Sequence, residues 1–149
     1  HCGGGRKMLE EARRAKEKTG SGINLLGVTV LTSFDDASWE EVAPGCSLSL
    51  ALEKRASLCR ETGMDGIVCS PLDLPVVTAA GKGLFTVVPG VRPASVNDDQ
   101  ARTATPQKTI GGGADYIVVG RPIVNAPDRI AAVRNIAAAV EEGLSWKNR

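Results

Sequence analysis

The sequence predicts a parallel α/β fold. Three observations carry that expectation: apolar, β-branched runs that read as strands buried on both faces, helical patterns between them, and glycines where those helices stop. Four strands, each followed by a helix, imply parallel pairing, because parallel neighbours need a crossover connection.

The elements follow in order. "RKMLEEARRAKEKTG" sets Met8, Leu9, Ala12 and Ala15 among charges and reaches Gly20, which reads as a helix with a glycine stop. "INLLGVTVLTS" (23–33) is a continuous apolar run ending in hydroxyls, the pattern of a strand covered on both faces. A second helix is expected over 47–63, stopped by Gly63, then a short buried strand in "DGIVCS" (65–70) and a short irregular helix over 71–83. "LFTVVPG" (84–90) reads as the third strand. It leads into a heavily punctuated loop, since "VVPGVRPASVNDDQAR" (87–102) holds a Pro-Gly turn, two arginines, paired aspartates and a glutamine. "TPQKTIGGG" is a short helix with Pro106 in its first turn, where a missing N–H costs nothing. "ADYIVVG" (114–120) is the fourth strand, and 126–143 the final helix, with Pro127 near its start and Gly143 placed after its end.

Composition bounds the chemistry. At 149 residues, 42% hydrophobic and 23% charged, the chain reads as one globular domain or a large piece of one. A formal charge of +1 gives no reason to expect a nucleic-acid or membrane partner. The apolar run around Leu25 to Leu31 is far shorter than the roughly 20 residues that a bilayer crossing needs. Cys2, Cys46, Cys59 and Cys69 show no CxxC spacing and the only histidine is His1, so reduced cysteines in a cytosolic protein are expected rather than a metal site. Cys69 closes an apolar run and reads as a small buried residue.

Two architectures satisfy the strand–helix alternation: an open doubly wound sheet and a (β/α)8 barrel. Length favours the open sheet, because a whole barrel takes about 250 residues. The dinucleotide signature G-x-G-x-x-G between a first strand and helix is absent, however, and "GGGRKM" has no strand before it. The last two strand ends favour the barrel, where a phosphate site is often built by the loops after strands seven and eight. "VVPGVRP" and "VVGRPI" each supply a glycine that lets backbone N–H groups approach an anion, and an arginine able to grip phosphate oxygens in pairs. A solvated arginine in an ordinary turn is the plainer account of either loop alone. Gln100 carries donors and an acceptor, so it can bridge a phosphate and a polar ring edge or simply order its loop.

"VTVLTS" (28–33), "GMDGIVCS" (63–70), "VVPGVRP" with "NDDQAR", and "GADYIVVGRPI" (113–123) together resemble the orotidine 5′-phosphate decarboxylase family, in that order. The opening "HCGGGRKML" is similar to the end of the family's fourth strand, His-Ala-x-Gly-Gly followed by a methionine. The resemblance covers essentially the whole chain. It implies that residues 1–149 are the C-terminal portion, strands five to eight, of a single (β/α)8 TIM barrel of the ribulose-phosphate-binding type, with the N-terminal strands missing; the start at His1 without a methionine agrees with that expectation.

Site roles follow from the resemblance. The threonine of the family's "LTS" touches the pyrimidine and matches Thr32; the arginine of its "PGIRP" and the glutamine of its "DQ" belong to the loop that closes over phosphate and match Arg92 and Gln100. The glycine and arginine of its "GRP" bind phosphate and match Gly120 and Arg121. The implied ligand is orotidine 5′-phosphate or its product UMP, with no metal or organic cofactor, and the implied assembly is a homodimer of the full-length parent. The family's charged network of lysine and aspartates, D-x-K-x-x-D, has no counterpart, since none of Asp35, Asp36, Asp65, Asp73, Asp98, Asp99, Asp115 and Asp128 has a lysine two positions on. No catalytic residue is therefore expected in this chain, which by itself is expected to be inactive. Two other readings compete: a sugar-phosphate enzyme on the same barrel, such as hexulose-phosphate synthase or ketogulonate-phosphate decarboxylase, and a non-catalytic phosphate-binding module. A stand-alone set of four strands also leaves open edges and an apolar face, from which weak stability or self-association is expected.

Overall fold

A computed structural model describes residues 1–93 and 102–147. After a single 3-10 turn at Cys2–Gly4, helix α1 (Gly5–Thr19) leads to strand β1 (Leu26–Val28), helices α2 (Asp36–Val42) and α3 (Leu48–Glu61), and strand β2 (Gly66–Val68). A second 3-10 turn (Pro71–Asp73) runs directly into α4 (Leu74–Ala80); β3 (Phe85–Val88), α5 (Pro106–Gly111), β4 (Tyr116–Ile117), α6 (Arg121–Val124) and α7 (Arg129–Lys147) follow.

The four strands form one parallel sheet in the order β1-β2-β3-β4, with Leu26 opposite Gly66, Gly66 opposite Phe85, and Val87 opposite Tyr116. Chain order and sheet order coincide. A doubly wound sheet reverses its order at a switch point, whereas a barrel adds each strand beside the last, so the topology is that of a barrel segment. The inner strands are the most covered: Ile67 and Val88 are buried, whereas Leu26 on β1 and Tyr116 on β4 are exposed. The main core lies where α3 and α4 cover the sheet, through Leu52, Ala56, Cys59, Ile67, Leu74 and Val77.

Helix ends follow their sequence signals. Gly20 closes α1 at φ 61° and Gly63 follows α3 at φ 70°, both in the left-handed region that glycine enters without a Cβ penalty. The side chains of Ser47 and Thr105 accept from the backbone N–H groups of Leu50 and Lys108, capping α3 and α5. Helix α2, which hydrophobic periodicity does not reveal, is started by a reciprocal cap between Asp35 and Ser38 and held by Trp39. The Trp39 indole N–H donates to the Cys46 carbonyl at 2.8 Å, and the Arg55 guanidinium lies 4.9 Å over its ring.

The segments "GMDGI" and "GADYI" use one device twice. In each, a glycine with positive φ and a buried residue, Met64 or Ala114, precede an aspartate that bonds the backbone of the preceding strand's segment. Asp65 accepts from the Leu25 N–H at 2.7 Å, and Asp115 from the Thr86 N–H at 2.8 Å. Both aspartates staple the ends at which the strands begin. Asp65 also pairs with the Lys16 ammonium of α1 at 2.7 Å.

Gly143 corrects one expectation. It does not end the last helix but lies within α7, which runs on to Lys147, because the glycine is a contact surface rather than a stop. A Cβ there would stand 2.6 Å from the Gln107 carbonyl oxygen of α5, closer than packed atoms tolerate. The pattern likewise gave no sign of α6, a single turn that starts at Arg121 directly after β4.

Two measurements test this packing. Gly143→Ala should lower stability by about 1–3 kcal/mol in chemical denaturation, since overpacking against backbone outweighs the roughly 1 kcal/mol that alanine gains in helix propensity; a more stable variant would disprove the close approach. The second concerns acid. The Lys16 ammonium and the Leu25 N–H hold the Asp65 carboxyl below its ordinary value of 3.8. A depressed folded-state value contributes stability above the ordinary value, lost as pH falls through the lower one. The stability difference between wild type and Lys16→Met, followed by denaturation from neutral pH downward, should therefore shrink below pH 3.8.

Candidate functional site

The chain leaves all four strands at one end of the sheet, and the sequence-predicted residues sit on those exits. Thr32 follows β1, Arg92 follows β3, and Gly120 with Arg121 follows β4. Gln100 lies outside the described residues.

The exit from β1 is fixed from below. The Thr29 hydroxyl donates to the Val68 carbonyl at 2.9 Å, and the Arg55 guanidinium donates to the Thr29 carbonyl at 2.7 Å. Val30 is buried, whereas the Leu31 side chain is half exposed and gives the backbone there little packing support.

Beside it, the exit from β2 buries Cys69, Ser70 and Asp73. The Ser70 N–H donates to Asp73 Oδ2 at 3.0 Å, which turns the chain into α4. Burial and the neighbouring Asp73 carboxylate push the Cys69 thiol up to about 12, so it stays protonated and is packing rather than a nucleophile.

Gly90 is where the exits meet. Its φ of 79° needs glycine, and a Cβ there would lie 3.2 Å from the Arg102 carbonyl, 3.6 Å from Pro71 and 3.9 Å from Thr32. The β3 exit thus lies against the other two. Beyond it Val91 forms a parallel bridge with Ala104, and the Arg92 N–H donates to the Ala104 carbonyl at 2.9 Å, closing the neck of the loop. The Arg92 side chain is 7% exposed, and its Nη1 donates to the Val91 carbonyl at 2.9 Å.

A residue that the sequence reading did not single out dominates this cluster. Arg102 is also 7% exposed; its Nη1 lies 2.5 Å from Asp73 Oδ1 and its Nη2 donates to the Leu31 carbonyl at 2.7 Å. One guanidinium therefore links the chain after β1, after β2 and after β3. The signal available in sequence was an aspartate in the turn after one strand and an arginine in the loop after the next. Spacing alone does not reveal that they meet.

After β4, an added Cβ at Gly120 would meet nothing within 4 Å, so the glycine leaves the backbone open to approach from outside rather than relieving a clash inside. Arg121 is exposed. Pro93 and Pro122, each next to one of the arginines, line a common apolar cavity of about 410 Å³ with Ile136 and Trp146, which brings the β3 and β4 loops side by side. A wider polar cleft at the opposite end of the strands is lined by Asp65 and Asp115, whose carboxylates are already bonded to neighbouring backbone. Among the described residues, Gly90, Arg92, Arg102, Gly120 and Arg121 stand at the exit end, an arrangement suited to an anionic ligand. Among the described residues, no helix is long and apolar enough to cross a membrane.

Comparison with known proteins agrees with this geometry. The sequence profile described as "Orotidine 5′-phosphate decarboxylase / HUMPS family" matches residues 1–136. Orotidine 5′-phosphate decarboxylase of Anaeromyxobacter sp. (strain K) is 46% identical over 142 residues, covering 94% of this chain and 61% of the relative. The protein of that name from Chromohalobacter salexigens is 40% identical over 144 residues, covering 95% and 61%. Among solved structures, orotidine 5′-phosphate decarboxylase from Lactobacillus acidophilus superposes with a TM-score of 0.76 at 31% identity, covering 94% of this chain and 61% of that one. An uncharacterized conserved protein from Geobacillus kaustophilus gives 0.72 at 27% identity with the same coverage. The chain thus spans 61% of the length of the curated relatives it matches.

Proposed function

The chain belongs to the orotidine 5′-phosphate decarboxylase / HUMPS family, and from that membership we propose that its parent protein converts orotidine 5′-phosphate to UMP and carbon dioxide in pyrimidine biosynthesis. The carrying observation is that curated relatives 40–46% identical along nearly all of this chain bear that name. In this reading the chain is the C-terminal part of one barrel, strands five to eight. Strand order equal to chain order and the exposed apolar residues on both edge strands support a barrel segment with neighbours on both sides; that it is the C-terminal segment rests on the order of its motifs.

The division of labour follows from the residues. Decarboxylation leaves negative charge on the ring carbon that bore the carboxylate, and a nearby ammonium stabilises and then protonates it. No D-x-K-x-x-D occurs here, so that ammonium comes from outside residues 1–149. This chain supplies the other half: Thr32 against the pyrimidine, and Arg92, Gln100, Gly120 and Arg121 around the phosphate. Two guanidiniums and exposed glycine backbone suit a phosphate dianion. Binding energy gathered at the non-reacting phosphate lowers the barrier at the ring, because it holds the substrate where charge develops. The parent is read as a cytoplasmic homodimer.

The test uses the full-length protein, this chain alone, and an Arg121→Ala variant of the full-length protein. The full-length protein should consume orotidine 5′-phosphate, followed by absorbance, while the isolated chain should not. Losing charge-assisted bonds to phosphate should weaken UMP binding by roughly tenfold to a hundredfold in Arg121→Ala. A full-length protein without turnover overturns the activity, turnover by the isolated chain overturns the division of labour, and unchanged UMP affinity removes Arg121 from the phosphate site.

A further inference from the structure

We propose that Arg102, held by Asp73, is a positioning residue: it latches the phosphate loop to the segment carrying Thr32 and so sets the distance between phosphate grip and ring contact. The proposal rests on the functional reading above.

Three observations carry it. First, the Arg102 guanidinium bonds two chain segments at once, Asp73 after β2 and the Leu31 carbonyl immediately before Thr32. The Leu31 carbonyl also accepts from the Phe34 N–H at 3.1 Å within its own segment, so the guanidinium supplies the bond that ties this turn to the loop after β3. Second, Arg102 lies two residues before Ala104, whose carbonyl accepts from the Arg92 N–H, so the segments that carry the two arginines are joined directly. A shift at Arg102 is therefore passed to Arg92. Third, the Arg102 Nε is buried without a hydrogen-bond partner among the described residues. Leaving a buried donor unpaired is unfavourable, which points to a guanidinium placed for its other two contacts rather than for its own comfort.

The geometry also explains why arginine occupies the position. Its planar fork presents two N–H branches to two acceptors in fixed directions, whereas a lysine ammonium on a flexible stem satisfies Asp73 without also holding Leu31 in place. The charge alone is then insufficient.

The experiment compares orotidine 5′-phosphate with orotidine, which lacks the phosphate, as substrates of the full-length protein. In Arg102→Lys both substrates should lose through the loosened Thr32 segment, but the ratio of kcat/KM for the phosphorylated substrate to that for orotidine should still fall roughly tenfold or more, since the misplaced grip is a further cost only to the substrate that uses it. Asp73→Asn, nearly isosteric, should move the ratio in the same direction and serves if the lysine variant fails to fold. A purely structural role would reduce both substrates in proportion, and an unchanged ratio overturns the proposal. Amide hydrogen exchange gives a readout independent of substrate: it should quicken at the Arg92 N–H in Arg102→Lys but not at the Val118 N–H, which bonds the Val88 carbonyl within the sheet. Equal protection of Arg92 in variant and wild type also overturns the latch. Should the wild-type protein fail to decarboxylate orotidine 5′-phosphate, the functional reading falls and the exchange result decides the latch by itself.

Discussion

The buried pair of Asp73 and Arg102 is the constraint on which the exit face of the sheet depends. Taking two ions out of water costs several kcal/mol each, and the pair is tolerated only where geometry and further hydrogen bonds compensate. Here two further bonds supply part of that compensation, since Asp73 also accepts from the Ser70 N–H and Arg102 also donates to the Leu31 carbonyl, while the Arg102 Nε has no partner among the described residues. Such a pair adds little net stability compared with an apolar packing of the same volume, yet losing either partner leaves an uncompensated charge. Its value is specificity of arrangement. Beyond the strand ladders that set the register of β1, β2 and β3, one guanidinium ties the three segments that leave them.

The two ends of the sheet divide the work. Where the strands begin, Asp65 and Asp115 bond neighbouring backbone directly, and those bonds bear on the sheet itself. Where the strands end, the polar groups bond loops to one another, and Arg92, Gly120 and Arg121 stand on those loops. Conservation of shape at one end thus supports adaptable chemistry at the other, as in barrels generally.

Much of this was legible in the sequence, for definite reasons. Glycine stops placed the ends of α1 and α3, and continuous apolar runs marked the strands, though the paired portions are only two to four residues long. Hydrophobic pattern records burial, not ladder pairing, so "INLLGVTVLTS" overstates β1. Helix α2 escaped because its start lies in the Asp35–Ser38 cap and its burial in one tryptophan, neither of which generates a periodic stripe. Gly143 misled because a glycine that admits a neighbouring helix looks, in sequence, like one that ends its own. The strand-end positions of Thr32, Arg92, Gly120 and Arg121 were readable from local motifs. Arg102 was not, because its meaning lies in partners 29 and 71 residues away.

Those separations bear on the order in which the molecule assembles. Helix turns and their caps close over three or four residues and form early, whereas a contact spanning 71 residues must wait until the intervening chain has been organised. The guanidinium can settle between Leu31 and Asp73 only after β1, β2 and β3 are side by side, since its acceptors do not exist as a pair before then. The exit end of the sheet is accordingly expected to assemble after the helices and strands, and a nascent chain that has collapsed but not yet docked Arg102 holds its secondary structure without that end in place.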